Sequence, residues 1–155
     1  MSPQPGIPAA GDPAARFGSS FLLADGDLVL DGGDLRLVHG LDNLKQALTL
    51  RLLTPFGTDQ VNATYGLDAT RAFTEGHGRR MVKELIRLEV VRTLASDPRV
   101  REVTSVVFDD DPQVVAQVRA AGGVPRDHRN RLWQLIATVE TVQDTTTPIL
   151  VDVEL

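Results

Sequence analysis

The fold is decided by the C-terminal stretch LWQLIATVETVQDTTTPILVDVEL, residues 132–155. Near its end, apolar residues occupy every second position: Ile149, Val151, Val153 and Leu155. A period of two is typical of a strand with one buried face. Residues 132–142 are rich in β-branched residues and predict a second strand, and residues 143–147 predict the turn between the two. The stretch therefore predicts two antiparallel strands.

A third strand is predicted upstream, at residues 99–108, where β-branched residues are again frequent. Between it and the final stretch, Asp109-Asp110-Asp111-Pro112 predicts a turn and then a short amphipathic helix with Asp111 as its N-cap. The apolar residues of this helix, which we expect to face the core, are Val114, Val115 and Val118. The chain is thus expected to end in a three-stranded antiparallel sheet with an inserted helix.

Two main helices are predicted before the sheet. The first opens at Gly40-Leu41-Asp42, with Asp42 as N-cap, and ends at Pro55. The second covers residues 79–96 and ends at Asp97-Pro98, because proline disfavours a helical residue before it. Apolar residues of the second helix exceed one narrow stripe, so we expect burial on more than one side.

The N-terminal part predicts little regular structure. Residues 1–20 are rich in proline, glycine and alanine and predict a flexible arm. Gly32-Gly33 predicts the turn of a small β-hairpin over residues 27–38, preceded by a turn at Asp25-Gly26. We expect no internal repeat. The fold class is then α+β, with two main helices packed on the sheet in a single domain, residues 21–155.

Composition excludes several kinds of function. The 155 residues carry a net charge of -5, which argues against nucleic acid as a partner. No long apolar window is present, so membrane insertion is not expected. Cysteine is absent, which excludes disulfides and thiolate chemistry. The N-terminus lacks the pattern of a secretory signal, so assembly in the cytoplasm is expected.

The sequence shows no motif for an active site, a metal or a cofactor. The histidines His39, His77 and His128 lack the spacing of a metal motif. Residues Asp109 to Asp111 offer oxygen ligands for a hard cation, but a turn with a helix cap explains them without metal. A hydrolase with paired carboxylates stays open as an alternative. Its candidate acids, which flank the long loop at residues 55–66, are Asp59, Asp68 and Glu75.

Several short motifs occur in a specific order. They are DLRLVHG at residues 34–40, LKQAL at 44–48, RLLTPFG at 51–57, Tyr65-Gly66, and DPR at 97–99. This order resembles the gene-25-like baseplate wedge family of contractile phage tails and related injection systems, over roughly residues 25–108. One departure is Asp97, since the family usually has glutamate before the Pro-Arg pair. The longer connection at residues 109–130 is another.

The resemblance implies a structural protein without an active site. Family members occur in six copies around the tail hub, contact other baseplate wedge proteins and the hub or spike, and initiate the sheath by offering a sheet to the sheath protein. The residues expected to interact are Tyr65, Gly66, Asp97, Pro98, Arg99, Ile149, Val151 and Val153. Two alternatives remain, a muramidase-like peptidoglycan hydrolase and a free-standing module that binds an unrelated protein through its last strand.

Overall fold

The computed structural model describes most of the chain. The described residues are 13–74, 76, 78–126 and 132–154. The predicted α+β class is confirmed, because helices occur together with antiparallel strand pairs and a three-stranded antiparallel sheet. The chain divides into two compact units, residues 1–48 and residues 49–155. The division into an arm (1–20) and one domain (21–155) stays a prediction, and residues 1–12 lie outside the described residues.

The first unit contains a 3-10 helix, Pro13–Phe17, and six short strands. The strands are β1 (Ser19–Phe21), β2 (Leu23–Ala24), β3 (Asp27–Leu28), β4 (Leu30–Asp31), β5 (Asp34–Leu35) and β6 (Leu37–His39). They form three antiparallel pairs, β1 with β6, β2 with β3, and β4 with β5. The turn predicted at Gly32-Gly33 is therefore present. The prediction of one continuous hairpin over residues 27–38 is wrong, because Asp27 and Leu28 pair with the preceding strand β2 and not with the strand after Gly33.

The three strand pairs meet at a closed triangle of backbone hydrogen bonds. The N–H of Leu22 donates to the carbonyl of Arg36 at 2.7 Å, that of Arg36 to Val29 at 2.9 Å, and that of Val29 to Leu22 at 3.0 Å. The segments between these residues, LADGDLV at 23–29 and LDGGDLR at 30–36, are a short tandem repeat. Our expectation of no repeat is therefore wrong. Each copy of the repeat forms one hairpin.

The turns explain why this repeat folds as hairpins. Asp25 and Gly26 have φ of 52° and 88°, and Gly32 and Gly33 have φ of 62° and 95°. Two consecutive positive φ angles are the pattern of a type I′ turn, which matches the twist of the strands that it joins. Asp-Gly and Gly-Gly are among the pairs that adopt it most readily.

Helix α1, Gly40–Leu53, starts within the first unit and supports the strands through its side chains. Asn43 Nδ2 donates to the carbonyl of Phe17 at 2.7 Å, and Gln46 Nε2 donates to that of Phe21 at 2.8 Å. Because the helix starts at Gly40, Asp42 lies in its first turn and is not the N-cap that the sequence predicts. Asp42 pairs there with Lys45 at 3.3 Å.

The second unit holds the remaining helices and the larger sheet. Its elements are α2 (Thr70–Thr74), α3 (Arg79–Ala95), β7 (Val100–Phe108), α4 (Pro112–Ala120), β8 (Leu132–Thr141) and β9 (Thr146–Glu154). The strand order is β7-β8-β9, antiparallel throughout. The three-stranded sheet with its inserted helix is thus confirmed, and β9 starts earlier than the sequence predicts.

The core of this unit lies on one face of the sheet. The buried apolar side chains of its strands are Val100, Phe108, Leu135, Ala137, Val139, Ile149 and Val151. Helix α3 packs on β7 and buries one stripe, Ile86, Val90, Thr93 and Leu94. Burial of α3 on more than one side is therefore wrong. The apolar residues of α3 that remain exposed are Met81, Leu88 and Val91.

Ion pairs hold the turn after β7 against α3. Lys83 contacts the carboxylate of Asp110, and Arg87 contacts that of Asp111. Asp111 has the N-cap position of α4, as predicted, but its carboxylate makes no capping bond and accepts the N–H of Phe108 at 2.8 Å. No residue of α4 is fully buried, but Val114, Val115 and Val118, which we expected to face the core, are half-buried, whereas the other residues of the helix are exposed.

Candidate functional site

The turn from α3 into β7 is built around Asp97, whose side chain is buried. Its Oδ1 accepts the backbone N–H of Arg99 at 3.0 Å, and its carbonyl accepts the N–H of Val100 at 3.0 Å. Pro98 stands between them with a ring-restricted φ. The short carboxylate thus reaches the backbone two residues ahead, as aspartate does in turns of this kind.

Two arginines converge on the same carboxylate. Arg99 binds it through both branches, with Nε 2.9 Å from Oδ1 and Nη2 2.8 Å from Oδ2. Arg51, from the last turn of α1, places Nη1 at 3.9 Å from Oδ2 and donates to Ser96 Oγ at 3.1 Å. A planar guanidinium matches a carboxylate in this two-point manner, which fixes orientation as well as charge. We call Arg51, Tyr65, Ser96, Asp97 and Arg99 the Asp97 cluster.

The surroundings of Asp97 act on its pKa in opposite directions. Burial raises the pKa, but hydrogen bonds from the side chain and backbone of Arg99, together with the charges of Arg99 and Arg51, leave the pKa below the ordinary 3.8. The charged carboxylate is therefore the form that the fold stabilises.

A pH dependence of stability follows from this lowered pKa. A pKa that is lower in the folded than in the unfolded state adds stability above the unfolded value, and the gain is lost as pH falls through the folded value. We expect the free energy of unfolding to fall as the pH drops below about 4, and to fall less in Asp97→Asn than in the wild type. Urea unfolding across this pH range measures both curves.

Tyr65 brings the long loop onto the same cluster. The guanidinium of Arg51 lies 4.9 Å from the centre of the Tyr65 ring, within the range of a cation–π contact. Burial raises the pKa of the Tyr65 phenol, the charge of Arg51 lowers it, and the charges of Asp59 and Asp97 raise it. The net pKa lies above 10.0, so the phenol is neutral at physiological pH.

Backbone contacts close the loop beside Tyr65. The N–H of Leu67 donates to the carbonyl of Thr54 at 2.8 Å, and the N–H of Phe56 donates to the carbonyl of Leu67 at 3.1 Å. Gly66 lies between the two chain segments with φ of 109°, and a Cβ at this position would be 2.5 Å from the carbonyl oxygen of Thr54. Only glycine tolerates that approach.

The structure thus brings together five of the eight residues that the sequence selected, Tyr65, Gly66, Asp97, Pro98 and Arg99, at the end of α3. Arg51 and Ser96 also belong to this cluster, although the sequence did not indicate them. Arg51 lies within the quoted motif at residues 51–57, so its position was visible, but its role depends on how α1 meets the turn. The other three residues, Ile149, Val151 and Val153, belong to β9 and form a separate feature.

Strand β9 offers an edge of the sheet. Nine residue pairs join it to β8 without a shift of register, from Leu132 with Glu154 to Glu140 with Thr146. The side chains of Ile149 and Val151 are buried in the core, whereas Leu150 is exposed. A partner strand would therefore contact the backbone of β9 and the side chain of Leu150. It would not contact the buried side chains of Ile149 and Val151, which we had expected to interact.

Hydrogen-bonded and non-hydrogen-bonded pairs alternate along an antiparallel ladder, and this alternation shows which backbone groups of β9 point outward, away from β8. Thr141 N–H donates to the carbonyl of Thr145 at 2.9 Å, so this pair has the hydrogen-bonded position of the antiparallel ladder and the next pair has the non-hydrogen-bonded one. By this alternation the outward groups belong to Pro148, Leu150 and Asp152, which face Thr138, Ile136 and Gln134. Pro148 lacks an N–H, which costs nothing at an outward position.

The opposite edge of the sheet, on β7, is irregular. Its pairing with β8 shifts register between Val100 and Glu102 and again between Val103 and Ser105. Such bulges bend and twist an edge strand and make it a poor template for another strand. The regular edge that could receive a strand is therefore that of β9.

The carboxylates considered for hydrolysis have structural partners. Asp59 Oδ1 accepts the N–H of Val61 at 2.8 Å and of Asn62 at 2.9 Å, and these bonds hold its pKa below the ordinary value. Asp68 Oδ1 accepts the N–H of Thr70 at 3.2 Å. Glu75 lies outside the described residues, as do His77 and His128. A hydrolytic general acid needs a raised pKa, which Asp59 lacks.

A polar cavity of about 350 Å³ lies between the long loop and α3. Its lining includes Asp68 and Glu89, together with Arg51 and Arg92. Glu89 pairs there with Arg92 at 3.9 Å. Among the described residues, no three His, Asp or Glu side chains lie close enough together to hold a metal ion.

The chain matches no protein-family model, and it matches no curated protein. None of the helices in the described part of the chain combines the length and the apolar character needed to cross a membrane.

Proposed function

We propose that this chain is a structural component of a contractile phage-tail-like injection system. In this role it joins the baseplate wedge and hub to the first ring of sheath protein, which adds a strand to the sheet of this chain. The observation that carries the proposal is the edge of β9. This strand pairs with β8 without a register shift, and the backbone groups of Leu150 and Asp152 point away from β8. Backbone hydrogen bonds from an added strand would supply affinity, and alternate side chains would supply specificity.

The asymmetry of the two edges favours β9 as the site of addition. Bulges disturb β7, whereas β9 presents a straight run after Pro148. Proline on an edge strand is a known protection against indiscriminate pairing. Here it removes one donor at Pro148 and leaves those of Leu150 and Asp152, so an added strand would pair along the second half of β9.

The Asp97 cluster supports the same role by fixing the sheet to its supporting helix. It ties the end of α1, the long loop and the start of β7 to the end of α3 through Arg51, Tyr65 and Arg99. A sheet that must accept another chain at a defined angle benefits from such pre-organisation, because less ordering remains to be done on binding.

The remaining parts of the proposal rest on the resemblance. Partners would be the sheath protein, other wedge proteins and the hub or spike, with six copies in the particle and assembly in the cytoplasm. The protein would have no enzymatic activity, no cofactor, and no nucleic-acid or membrane partner. A free-standing binding module would use the same β9 edge on an unrelated protein, so only the partner distinguishes it from a sheath initiator.

Blocking the backbone of β9 tests the proposal. Leu150→Pro removes an outward N–H without removing a bond to β8, whereas the matched control Leu150→Thr keeps that N–H and changes only the side chain. In cells that express the full set of tail components, we expect Leu150→Pro to reduce the sheath protein recovered with the tagged chain by about tenfold. Leu150→Thr should stay within about threefold of the wild type.

Two outcomes would contradict the proposal. The first is a wild-type chain that never enters a sheathed particle in electron micrographs, although all components are present. The second is recovery of sheath protein that Leu150→Pro leaves unchanged. Far-UV circular dichroism of each variant confirms that the sheet is retained, so that a loss of binding is not a loss of folding.

A further inference from the structure

The outer face of helix α3 carries an apolar stripe. Met81, Leu88 and Val91 are 51 %, 63 % and 38 % exposed, and Ala95 is exposed as well. Successive members are seven, three and four residues apart, so they lie on one side of the helix. At about 3.6 residues per turn, this side is opposite to that of the buried residues of α3. We call Met81, Leu88, Val91 and Ala95 the outer stripe.

The outer stripe has the spacing of a helix–helix seam. In a heptad, whose positions are named a to g, the residues at a and d form the contact between two packed helices. Met81, Leu88 and Ala95 occupy successive a positions, and Glu84 and Val91 occupy the d positions between them. The pattern therefore fits a partner helix laid along α3, which would cover the whole stripe.

Arginines border the outer stripe on both sides. Charges at positions e and g, beside the seam, determine which partner helix is accepted. On α3 they are Arg80 and Arg87 at g and Arg92 at e. Arg80 precedes Glu84 by four residues and Arg92 follows Leu88 by four, so both lie on the side of the stripe. Arg80 is exposed, and so is 81 % of the Arg92 side chain.

The acids of α3 do not balance these arginines. Glu84 lies within the seam and contacts Arg87, which also contacts Asp111. Glu89 is 3.9 Å from Arg92, but its side chain is only 18 % exposed and lines the polar cavity described above. Beside the stripe, three arginines thus stand against the single carboxylate of Glu84.

We propose that the outer stripe binds a helix of a partner protein that has apolar residues at its own a and d positions and acidic residues at e and g. The apolar side chains would cover Met81, Leu88 and Val91, while the acidic ones would face Arg80 and Arg92. At the position of Glu84 the partner would carry one polar residue, which fixes the register of the two helices.

The same charges disfavour other occupants. In a pair of copies of this chain, an antiparallel arrangement of two α3 helices would bring Arg80 against Arg87, and a parallel one would bring Arg87 against Arg92. An anionic membrane would attract the arginines, but it would have to accept Glu84 among the apolar side chains. The proposal is independent of strand addition, because α3 and the β9 edge are different surfaces and either can fail alone.

Two synthetic helical peptides test this inference against the full chain. Both are three heptads long with leucine at a and d, and they carry glutamate or lysine at e and g. In fluorescence anisotropy at low salt, we expect the glutamate peptide to bind about tenfold more tightly than the lysine peptide. Met81→Gln with Leu88→Gln keeps good helix formers at exposed positions and should weaken binding of the glutamate peptide about tenfold.

Charge reversal provides the sharper variant. Arg80→Glu with Arg92→Glu leaves the apolar residues in place, and we expect it to prefer the lysine peptide. Arg36→Glu with Arg119→Glu makes the same change in net charge at exposed arginines outside α3, so this control should keep the preference of the wild type. Far-UV circular dichroism confirms that each variant retains its helices.

Several results would overturn the inference. They are equal affinity of the wild type for the two peptides, an unchanged preference after charge reversal, and unchanged affinity after the glutamine substitutions. Self-association of the chain that the glutamine variant abolishes would assign the stripe to a second copy. Flotation with anionic vesicles that charge reversal abolishes would assign it to a membrane.

Discussion

Replacing Gly66 with alanine is expected to lower the free energy of unfolding by about 3–5 kcal/mol. Two costs add at this position. The backbone has φ of 109°, a region that residues with a Cβ avoid, and the added Cβ would lie 2.5 Å from the carbonyl oxygen of Thr54 and 2.9 Å from that of Pro55. Those atoms are backbone, so no side chain can move aside. Urea unfolding followed by circular dichroism measures the loss.

Gly57 provides a matched control in the same loop. Its φ is 76°, but the nearest atom to an added Cβ is the carbonyl oxygen of Ala63 at 4.0 Å. Gly57→Ala therefore carries the conformational cost alone, about 1 kcal/mol. Equal losses for the two variants would show that the close approach of the loop to Thr54 contributes nothing, which would contradict the loop closure described above.

Periodicity predicted the second unit well for a physical reason. Strands β7, β8 and β9 have one face in the core, so the alternation of apolar residues records their register. The same signal failed for α3, because Met81, Leu88 and Val91 are apolar and exposed. A hydrophobic pattern does not by itself distinguish core residues from apolar residues that stay at the surface.

The first unit was harder to predict because its strands are two or three residues long. Such strands give no periodicity of their own, and the turn at Gly32-Gly33 alone suggested a single hairpin. The decisive signal was the repeat of residues 23–29 in residues 30–36, each with a turn that ends in glycine. Tandem turns of this kind predict tandem hairpins, whereas the closing triangle of hydrogen bonds depends on tertiary placement that no local rule supplies.

The residues of the candidate site were only partly predictable. Asp97, Pro98 and Arg99 are adjacent in sequence, so their turn chemistry is local and readable. Arg51 reaches the same carboxylate from 46 positions earlier in the chain, a contact that follows from how α1 ends beside α3. Leu150 was passed over for its buried neighbours, because the sequence shows the alternation of a strand but not which of its backbone groups stay unpaired.

Replacing Asp97 with alanine is expected to lower the free energy of unfolding by about 3 kcal/mol. The change leaves the guanidinium groups of Arg99 and Arg51 without their shared carboxylate and removes the bond to the backbone N–H of Arg99. Because the lost partner is buried, its removal costs more than an exposed ion pair would. Thermal unfolding monitored at neutral pH gives the difference.

Asp97→Glu separates the two contributions of this side chain. Glutamate keeps the charge for Arg99 and Arg51, but its longer side chain does not close the turn onto the backbone N–H of Arg99, which Asp97 accepts at 3.0 Å. We expect a loss of about 1 kcal/mol, one third of that for alanine. A glutamate variant as unstable as the alanine variant would mean that the turn bond alone stabilises this junction and that the ion pairs add nothing. Sheath binding of the two variants is a separate measurement. If the alanine variant loses sheath binding and the glutamate variant keeps it, the ion pairs of residue 97, and not its hydrogen bond within the turn, orient the β9 edge.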